Sequence, residues 1–386
     1  MSNQVGDLQV GDLQVSDLQV GDLQVGDLQV GDLERSVVRA HPDAQAFVGG
    51  PLRTREEREA ALAASLAPGA TRPVGAGERH RPEEADPFRL CFERDLDRVK
   101  HSRPWRRLAG KCQVFIAPDD DHLRTRLTHA VEVAQVAVGI ARVANLCVPL
   151  TEAIALAHDC GHGPAGHASE EAFSPYLPGT GYDHAVYGAD VTLAELNLCV
   201  ETLDGVRNHS WRRPAPATPE GEVVAWADRI AYVCHDFEDA VRAGILEPED
   251  LPKEVREVVG ARRSEQIGGF MLAVLDAIER TGHVGMTEPA ATALQVFRDF
   301  NFERIYLRPA ARQQAERVIR LLRGLVDHFA DMPRRLPDVD AHGVRAGSPG
   351  AAALAVHYVS GMTDRFALRL GVELLGWRTD DLPRGV

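Results

Sequence analysis

Residues 157–170 read AHDCGHGPAGHASE and hold three histidines and two carboxylates within fourteen positions. The adjacent His158 and Asp159 offer an imidazole nitrogen and a hard carboxylate oxygen to one divalent ion. This donor mixture suits Mg²⁺, Mn²⁺ or Fe²⁺ better than a structural zinc selected by thiolates. The stretch therefore predicts a hydrolytic metal centre whose remaining ligands lie elsewhere in the chain.

Long segments on both sides of this stretch carry apolar residues at helical spacing, with Pro or Gly between them. No alternating strand pattern of comparable length occurs. The pattern predicts an all-α domain of about eight to eleven helices. The predicted helical segments are 126–146, 151–159, 187–205, 220–243, 252–282, 289–300, 308–332 and 350–371.

The N-terminal part of the chain has a different texture. Residues 5–34 are six pentads of the type VGDLQ, and a period of five fits neither a helix nor a strand. We expect residues 1–34 to be a low-complexity, disordered tail, and 35–85 to be a mostly disordered linker with one short helix at Thr54–Ser65. The catalytic domain is predicted to span 86–375, with its metal core at about 124–242, and 376–386 to be a C-terminal tail.

The composition narrows the class of function. The 43 basic and 57 acidic residues give a formal charge of −14, which argues against broad adhesion to nucleic acid or anionic lipid. Six scattered cysteines without a CxxC pair indicate reduced, buried thiols. No stretch of about eighteen apolar residues and no signal sequence is visible. We expect a cytoplasmic protein that has no contact with the membrane.

Two other segments offer the missing ligands. His129 opens a long amphipathic helix, and Arg126 lies one turn before it on the same side. Asp228, Tyr232 and Asp236 follow one another at intervals of four residues and so share one face of a helix. Polar groups inside an apolar helix are costly unless they have partners, so this stripe indicates a site.

Together, His129, His158, Asp159 and Asp228 give two imidazoles and two carboxylates, with open positions for water and a phosphate oxygen. This order, His…His-Asp…Asp, resembles the HD superfamily of metal-dependent phosphohydrolases. More narrowly, it is similar to the deoxyguanosinetriphosphate triphosphohydrolase-like branch, over about residues 86–372. The stretches that carry the resemblance are 92–98, 101–108, 110–115, 124–129, 158–167, 226–239 and 361–365.

The resemblance implies the roles of the residues around the ion. The metal ligands fall on His129, His158, Asp159 and Asp228. The catalytic pair falls on His167 and Glu170, a histidine held by a carboxylate that aligns the attacking water or assists proton transfer. His162 is implied to meet the α-phosphate. The implied cofactor is Mg²⁺, Mn²⁺ or another transition metal such as Fe²⁺, Co²⁺ or Ni²⁺.

The resemblance also implies the substrate contacts. Arg126 is expected to clamp phosphate, and His184 to face the α-phosphate. Tyr232 is expected to pack on the sugar, where it would crowd a 2′-hydroxyl, and Asp236 to accept a bond from the 3′-hydroxyl. Gln113 is expected near the ribose. One departure from the family's pattern concerns the pocket wall: Ala165 stands where relatives usually have phenylalanine, which leaves the base preference open.

The implied activity is hydrolysis of a deoxynucleoside triphosphate, dGTP or several dNTPs, to deoxynucleoside and triphosphate. Two alternatives stay open at this point. One is an HD-type nucleotidase or phosphodiesterase acting on other nucleotides. The other is a non-catalytic protein that binds nucleotides or single-stranded nucleic acid. The resemblance further implies homo-oligomers, often hexamers, and activation by a nucleotide.

Overall fold

The computed structural model describes residues 38–118, 120–337 and 343–383, and these residues form fifteen α-helices and no β-strand. The predicted all-α fold is confirmed. The helices are α1 (Arg55–Ser65), α2 (Cys91–His101), α3 (Arg103–Arg107), α4 (Arg126–Val143), α5 (Val148–Ala157), α6 (His167–Phe173), α7 (His184–Tyr187), α8 (Val200–Asn208), α9 (Pro219–Arg242), α10 (Lys253–Val259), α11 (Arg263–Thr281), α12 (Glu288–Asn301), α13 (Pro309–Asp331), α14 (Pro349–Ser360) and α15 (Asp364–Leu375).

The helix boundaries follow local chemistry. The hydroxyl of Thr125 accepts a hydrogen bond from the Thr128 amide and starts α4, and Thr218 starts α9 in the same way. The predicted helix at 252–282 is two helices, because Gly260 between them adopts φ +94°. Much of the segment predicted as helix at 187–205 is instead a π turn at Gly188–Thr192 and a 3₁₀ turn at Ala194–Leu196.

The central core lies where α4 and α5 pack against α9. Three of the apolar residues that α4 contributes, Val133, Ala137 and Ile140, are fully buried, and Ile230 of α9 meets them in the same cluster. A second apolar cluster joins α13, α14 and α15 to Phe173 of α6. Both clusters flank the 158–167 stretch, so that stretch is packed from two sides.

The expectation of a disordered linker over 35–85 does not hold for residues 66–85. The amide and hydroxyl of Thr71 donate to the buried carboxylate of Glu220 at 3.0 and 2.7 Å. Arg79 is buried and pairs with Asp95 at 2.5 Å. The polar composition suggested exposure to solvent, but these groups are bonded to acids inside the helical domain. The short helix predicted at Thr54–Ser65 is α1, with Thr54 as its N-cap.

The ends of the chain differ from the helical domain. Residues 38–52 belong to a separate unit and contain turns but no helix or strand. The pentad repeat lies outside the described residues. At the other end, Leu382 in the predicted C-terminal tail packs against the second apolar cluster.

All six cysteines are free and buried, as expected. Among the described helices, none combines the length and apolarity needed to cross a bilayer.

Candidate active site and metal centre

His158 follows the last residue of α5, and its ring is held by the preceding turn. Its Nδ1 lies 2.7 Å from the carbonyl of Ala155, so Nδ1 carries the proton and Nε2 presents a lone pair. The side chain is fully buried, and Nε2 has no hydrogen-bond partner among the described residues. A buried, unpaired nitrogen is costly, and a metal ion in front of it would satisfy it.

Three helical elements place the other predicted ligands beside this nitrogen. His129 of α4 has its Nε2 3.1 Å from Asp228 Oδ1 of α9. His158 Nε2 lies 3.7 Å from Asp228 Oδ1 and 3.5 Å from Asp159 Oδ1. Ligands at about 2.1 Å from one ion stand about 3–4 Å apart, so these separations fit a shared cation.

Both ligand carboxylates are ionised, as metal binding requires. Burial would raise the pKa of Asp228, but the hydrogen bond to His129 and the neighbouring His158 lower it to about 2. Burial also opposes ionisation of Asp159, yet His158 and Arg126 hold its pKa well below the usual range. The four predicted ligands therefore fit a divalent cation in position, burial and charge.

Arg126 is paired with a ligand rather than pointing freely at the substrate. Its Nη1 donates to Asp159 Oδ2 at 2.6 Å, which leaves Oδ1 turned toward the histidines. Gly166 makes this contact possible, because a Cβ at that position would lie 2.2 Å from Arg126 Nη2. Gly166 also adopts φ +60°, which favours glycine.

Four side chains form a cluster next to Asp159. His162 Nε2 lies 3.2 Å from Asp159 Oδ1, and its ring stacks on His184 at 3.7 Å between centroids. Glu170 forms a hydrogen bond with His184 Nδ1, whereas His167 Nδ1 is 3.6 Å from the same carboxylate. The side chain of His167 is 77% exposed, so the predicted pair His167 and Glu170 is adjacent, but Glu170 is held more closely by His184.

Opposing effects set the charges in this cluster. Burial favours the protonated form of Glu170, but the bonds from His167 and His184 outweigh it and lower the pKa of this carboxyl. Burial also disfavours the charged form of His184, but the bond to Glu170 raises its pKa. Burial together with Arg126 lowers the pKa of His162 well below its usual value. The bond between His184 and Glu170 thus favours the charged form of both groups, whereas the environment of His162 favours its neutral form.

His209 belongs to the site, although the sequence interpretation missed it. It follows the last residue of α8 and is almost fully buried. Its Nδ1 lies 2.8 Å from the carbonyl of Val206, and its Nε2 lies 3.2 Å from His184 Nε2. Burial lowers the pKa of His209 to about 4. No spacing in the sequence links it to the 158–167 stretch; only its place after a helix, like that of His158, could have drawn attention to it.

A further part of the site is formed by α9 and by the π turn that follows α12. Asp236 and Tyr232 stand on α9, and the Tyr306 hydroxyl donates to Asp236 Oδ2 at 2.5 Å. Burial raises the pKa of Asp236 to about 7, and its Oδ1 is without a partner in the described structure. The buried Oε1 of Gln113 is likewise unpaired there. Tyr306, from the π turn at Phe302–Tyr306, was not predicted.

One cavity of about 790 Å³ is lined by residues from all these parts of the site. Eleven of the twelve predicted site residues line it, and the twelfth, His158, lies buried next to them. Despite the overall negative charge, five arginines line the cavity: Arg126, Arg212, Arg229, Arg298 and Arg308. The guanidinium of Arg229 lies 3.4 Å from the centre of the Trp211 ring, which holds it in place. Six acidic side chains, Asp159, Glu170, Glu171, Asp183, Asp228 and Asp236, line the same cavity. The cavity therefore offers groups both for a cation and for an anion.

The 158–167 stretch is braced by the C-terminal helices. Lys111 is buried and donates from Nζ to the carbonyls of His162 and Ser360. The carboxylate of Asp364, at the start of α15, accepts from the amides of Cys112 and Ala165 at 2.8 Å each. Ala165 adopts φ +58° and lines the cavity, so the position that departs from the family's pattern is fixed through its backbone.

Comparisons with known proteins agree with this geometry. The HD domain model matches residues 126–233, and the phosphohydrolase-associated domain model matches residues 284–372. A deoxyguanosinetriphosphate triphosphohydrolase-like protein of Caldanaerobacter subterraneus subsp. tengcongensis is 39% identical over 323 residues, covering 82% of this chain and 94% of the relative. The chain belongs to the deoxyguanosinetriphosphate triphosphohydrolase-like family.

Two further comparisons cover about three quarters of this chain. A deoxyguanosinetriphosphate triphosphohydrolase-like protein of Clostridium perfringens is 37% identical over 75% of this chain and 87% of its own length. A solved structure of a hypothetical protein from Aquifex aeolicus matches 74% of this chain and 69% of its own, with a TM-score of 0.47 and 16% identity. The family assignment identifies a hydrolase of the HD phosphohydrolase type, with histidine and acidic groups positioned for a metal.

Proposed function

We propose that the protein is a metal-dependent dNTP triphosphohydrolase, which converts a deoxynucleoside triphosphate and water into deoxynucleoside and triphosphate. One observation supports the proposal: the cavity is lined by three of the four predicted metal ligands, with His158 buried beside them, and by five arginines together with Tyr232 and Asp236. A site for one phosphate would need fewer cationic groups. The relatives' names support a nucleotide substrate.

The cation would be held by His129, His158, Asp159 and Asp228. When bound, it would neutralise charge on the α-phosphate and lower the pKa of a nearby water. Arg126 keeps Asp159 ionised and aimed, since it bonds the oxygen that does not face the histidines. The protein thus fixes the ligand geometry before substrate arrives.

The remaining groups handle the phosphate and the proton. Water attacks the α-phosphorus, and the nucleoside 5′-oxygen leaves. His162 faces the α-phosphate. His167 is exposed at the cavity surface, with its Nδ1 3.6 Å from the Glu170 carboxylate, and there it exchanges a proton with water. Glu170 is hydrogen-bonded to His184 and so orients that ring.

We further propose that Tyr232 and Asp236 select deoxyribose. The unpaired Oδ1 of Asp236 is available to the 3′-hydroxyl, because the other oxygen is occupied by Tyr306. Tyr232 would crowd a 2′-hydroxyl. Homo-oligomerisation and a nucleotide activator stay predictions from the resemblance, and a cytoplasmic location stays a prediction from the composition.

Product identification tests the proposal. The purified protein is incubated with each of the four dNTPs and with GTP, in Mg²⁺ or Mn²⁺, and the products are separated by ion-exchange chromatography. We expect triphosphate and deoxynucleoside in equal amounts, with little turnover of GTP. Monophosphate with pyrophosphate would indicate the alternative nucleotidase chemistry, and no turnover with any metal would contradict enzymatic function.

A further inference from the structure

We propose that Trp211 is a positioning residue: it holds the Arg229 guanidinium in the orientation in which Arg229 contacts a phosphate group of the substrate. The proposal rests on the proposed function, because it takes the bound anion to be the phosphate chain of a dNTP. Both residues line the cavity. The sequence interpretation assigned a role to neither of them.

The contact between the two side chains uses the face of the indole ring. The guanidinium carbon of Arg229 lies 3.4 Å from the centre of the Trp211 ring. At this distance the cation stands over the ring face, where the negative part of the ring quadrupole attracts it. The ring covers one side of the planar guanidinium and leaves its N–H edges free to donate. Trp211 therefore limits the orientation of Arg229 without using its hydrogen-bond donors, whereas a carboxylate partner would use them.

Arg229 has no acidic partner of its own. It is half-buried, yet within the described residues its side chain forms no salt bridge and no hydrogen bond. Burial lowers the pKa of Arg229, and the charge of Arg298 adds to this effect. Arg124, which lies outside the cavity, is instead bonded to three carboxylates. An anion beside Arg229 would accept from its free donors and offset the repulsion between the two arginines of the cavity.

Trp211 is itself fixed to the helix that carries Arg229. Its Nε1 donates to the carbonyl of Ala225 at 3.0 Å, and its ring meets Trp226 edge to face at 4.6 Å between centroids. Ala225, Trp226 and Arg229 all belong to α9. The side chain of Trp211 nevertheless remains 47% exposed. The ring is thus held in place from α9 but is not part of the buried core, so its replacement should leave the fold intact.

An aromatic ring in a nucleotide cavity is also suited to stacking on the base. The contact with Arg229 argues against this role for Trp211, because the guanidinium occupies the ring face. The two roles differ in how they depend on the base. Loss of a stacking platform would affect the four dNTPs unequally, whereas loss of a phosphate contact would affect all four alike, since they share the phosphate chain.

Steady-state kinetics of the full-length protein with each of the four dNTPs test the positioning role. We expect Trp211→Ala to raise KM about 3- to 30-fold, equally for all four, with kcat changed by less than about twofold. Trp211→Phe keeps a π face and should restore KM to within about threefold of wild type. Arg229→Ala should raise KM at least as much as Trp211→Ala. The double variant should be no worse than Arg229→Ala alone, because Trp211 acts through Arg229.

Arg369→Ala is the matched control, since it removes an exposed arginine that lies over the Phe366 ring of α15. Losses that multiply in the double variant, or that differ among the bases, would overturn the positioning role. If Trp211→Ala does not fold by circular dichroism, Trp211→Leu takes its place, because leucine keeps an apolar contact with Trp226 but has no π face.

The failure of the proposed function has a different signature. If the wild-type protein hydrolyses no dNTP, the proposed function fails, and the same variants are titrated with inorganic triphosphate by calorimetry. A loss of affinity in Trp211→Ala that is absent in the Arg229→Ala background would still support the positioning role. Equal losses in both backgrounds, or no binding of triphosphate to the wild-type protein, would contradict it.

Discussion

Asp159 links more of the site than its neighbours do. Its Oδ2 accepts from Arg126 at 2.6 Å, and its Oδ1 lies within 3.2–3.8 Å of the Nε2 atoms of His162, His158 and His184. If Asp159 is the proposed metal ligand, removing its charge would disturb both the binding of the ion and the orientation of the surrounding rings.

We predict that Asp159→Asn lowers kcat/KM for the preferred dNTP by at least about 100-fold and weakens Mn²⁺ binding. The amide has nearly the same shape, so the fold should persist. Steady-state kinetics and metal titration measure the two effects, with Asp276→Asn, a surface carboxylate, as the matched control. Activity within about threefold of wild type would contradict the assigned role.

Asp236 should make stability depend on pH. Its pKa rises from 3.8 unfolded to about 7 folded, because it is buried. Between these values the folded state keeps a proton that the unfolded state has released, so the free energy of unfolding falls as pH rises and the loss is complete above about 7.

Asp236→Asn removes this effect. Relative to wild type, the variant should gain about 1–3 kcal/mol in free energy of unfolding between pH 5 and 8. Denaturant melts at several pH values measure the difference, again with Asp276→Asn alongside. A difference that stays constant with pH would show that the carboxyl ionises normally in the folded protein.

The sequence predicted site residues best where they share a motif or a helix face. His158 to Glu170 fall in one stretch, and Asp228, Tyr232 and Asp236 share a face of α9. His209 and Tyr306 reach the site only through the packing of α8 and of the π turn at 302–306, which leaves no spacing to detect. The closer pairing of Glu170 with His184 likewise depends on tertiary contacts.

At the level of elements, the 158–166 loop depends on α15 for its shape. Asp364 binds the amides of Cys112 and Ala165, which join the loop to the segment before α4. Gly161 allows the loop to press against α7, since a Cβ there would lie 2.0 Å from the His184 carbonyl oxygen. The loop is thus held near its start, at Gly161, and near its end, at Ala165.

Asp364→Ala should leave both amides without their partner and lower the free energy of unfolding by about 1–3 kcal/mol. We also expect faster amide hydrogen exchange in residues 158–170, measured by mass spectrometry. Glu373→Gln, on the exposed part of the same helix, is the control. Unchanged exchange in the loop would mean that Asp364 does not brace it.

The periodic pattern located the central helices because α4 and α9 carry regular apolar faces. The same pattern failed for a segment of polar composition that forms buried contacts. Thr71 and Arg79 lie in a Pro- and Gly-rich segment that resembles a linker, yet both bond to buried carboxylates. Local composition cannot show that an acid distant in sequence, such as Glu220 for Thr71, accepts a hydrogen bond from this segment.

In the whole molecule, a strongly acidic chain places arginines as well as carboxylates in one cavity. The net charge is −14, yet five arginines line the cavity. The arginines could contact the phosphates of the proposed substrate, while the net negative charge argues against broad binding to nucleic acid.

The catalytic unit should work without the N-terminal repeat. All predicted site residues lie between Gln113 and Asp236. Deletion of residues 1–34 is expected to leave kcat/KM within about twofold, measured with the preferred dNTP beside the full-length chain. A tenfold loss would assign the repeat a part in catalysis.

In the proposed mechanism, water attacks the α-phosphorus and the nucleoside leaves with its own 5′-oxygen. Hydrolysis of the preferred dNTP in H₂¹⁸O, followed by mass spectrometry of both products, tests it directly. We predict one ¹⁸O atom in the triphosphate and none in the deoxynucleoside. Label in the deoxynucleoside, or in a monophosphate and pyrophosphate pair, would contradict the claim.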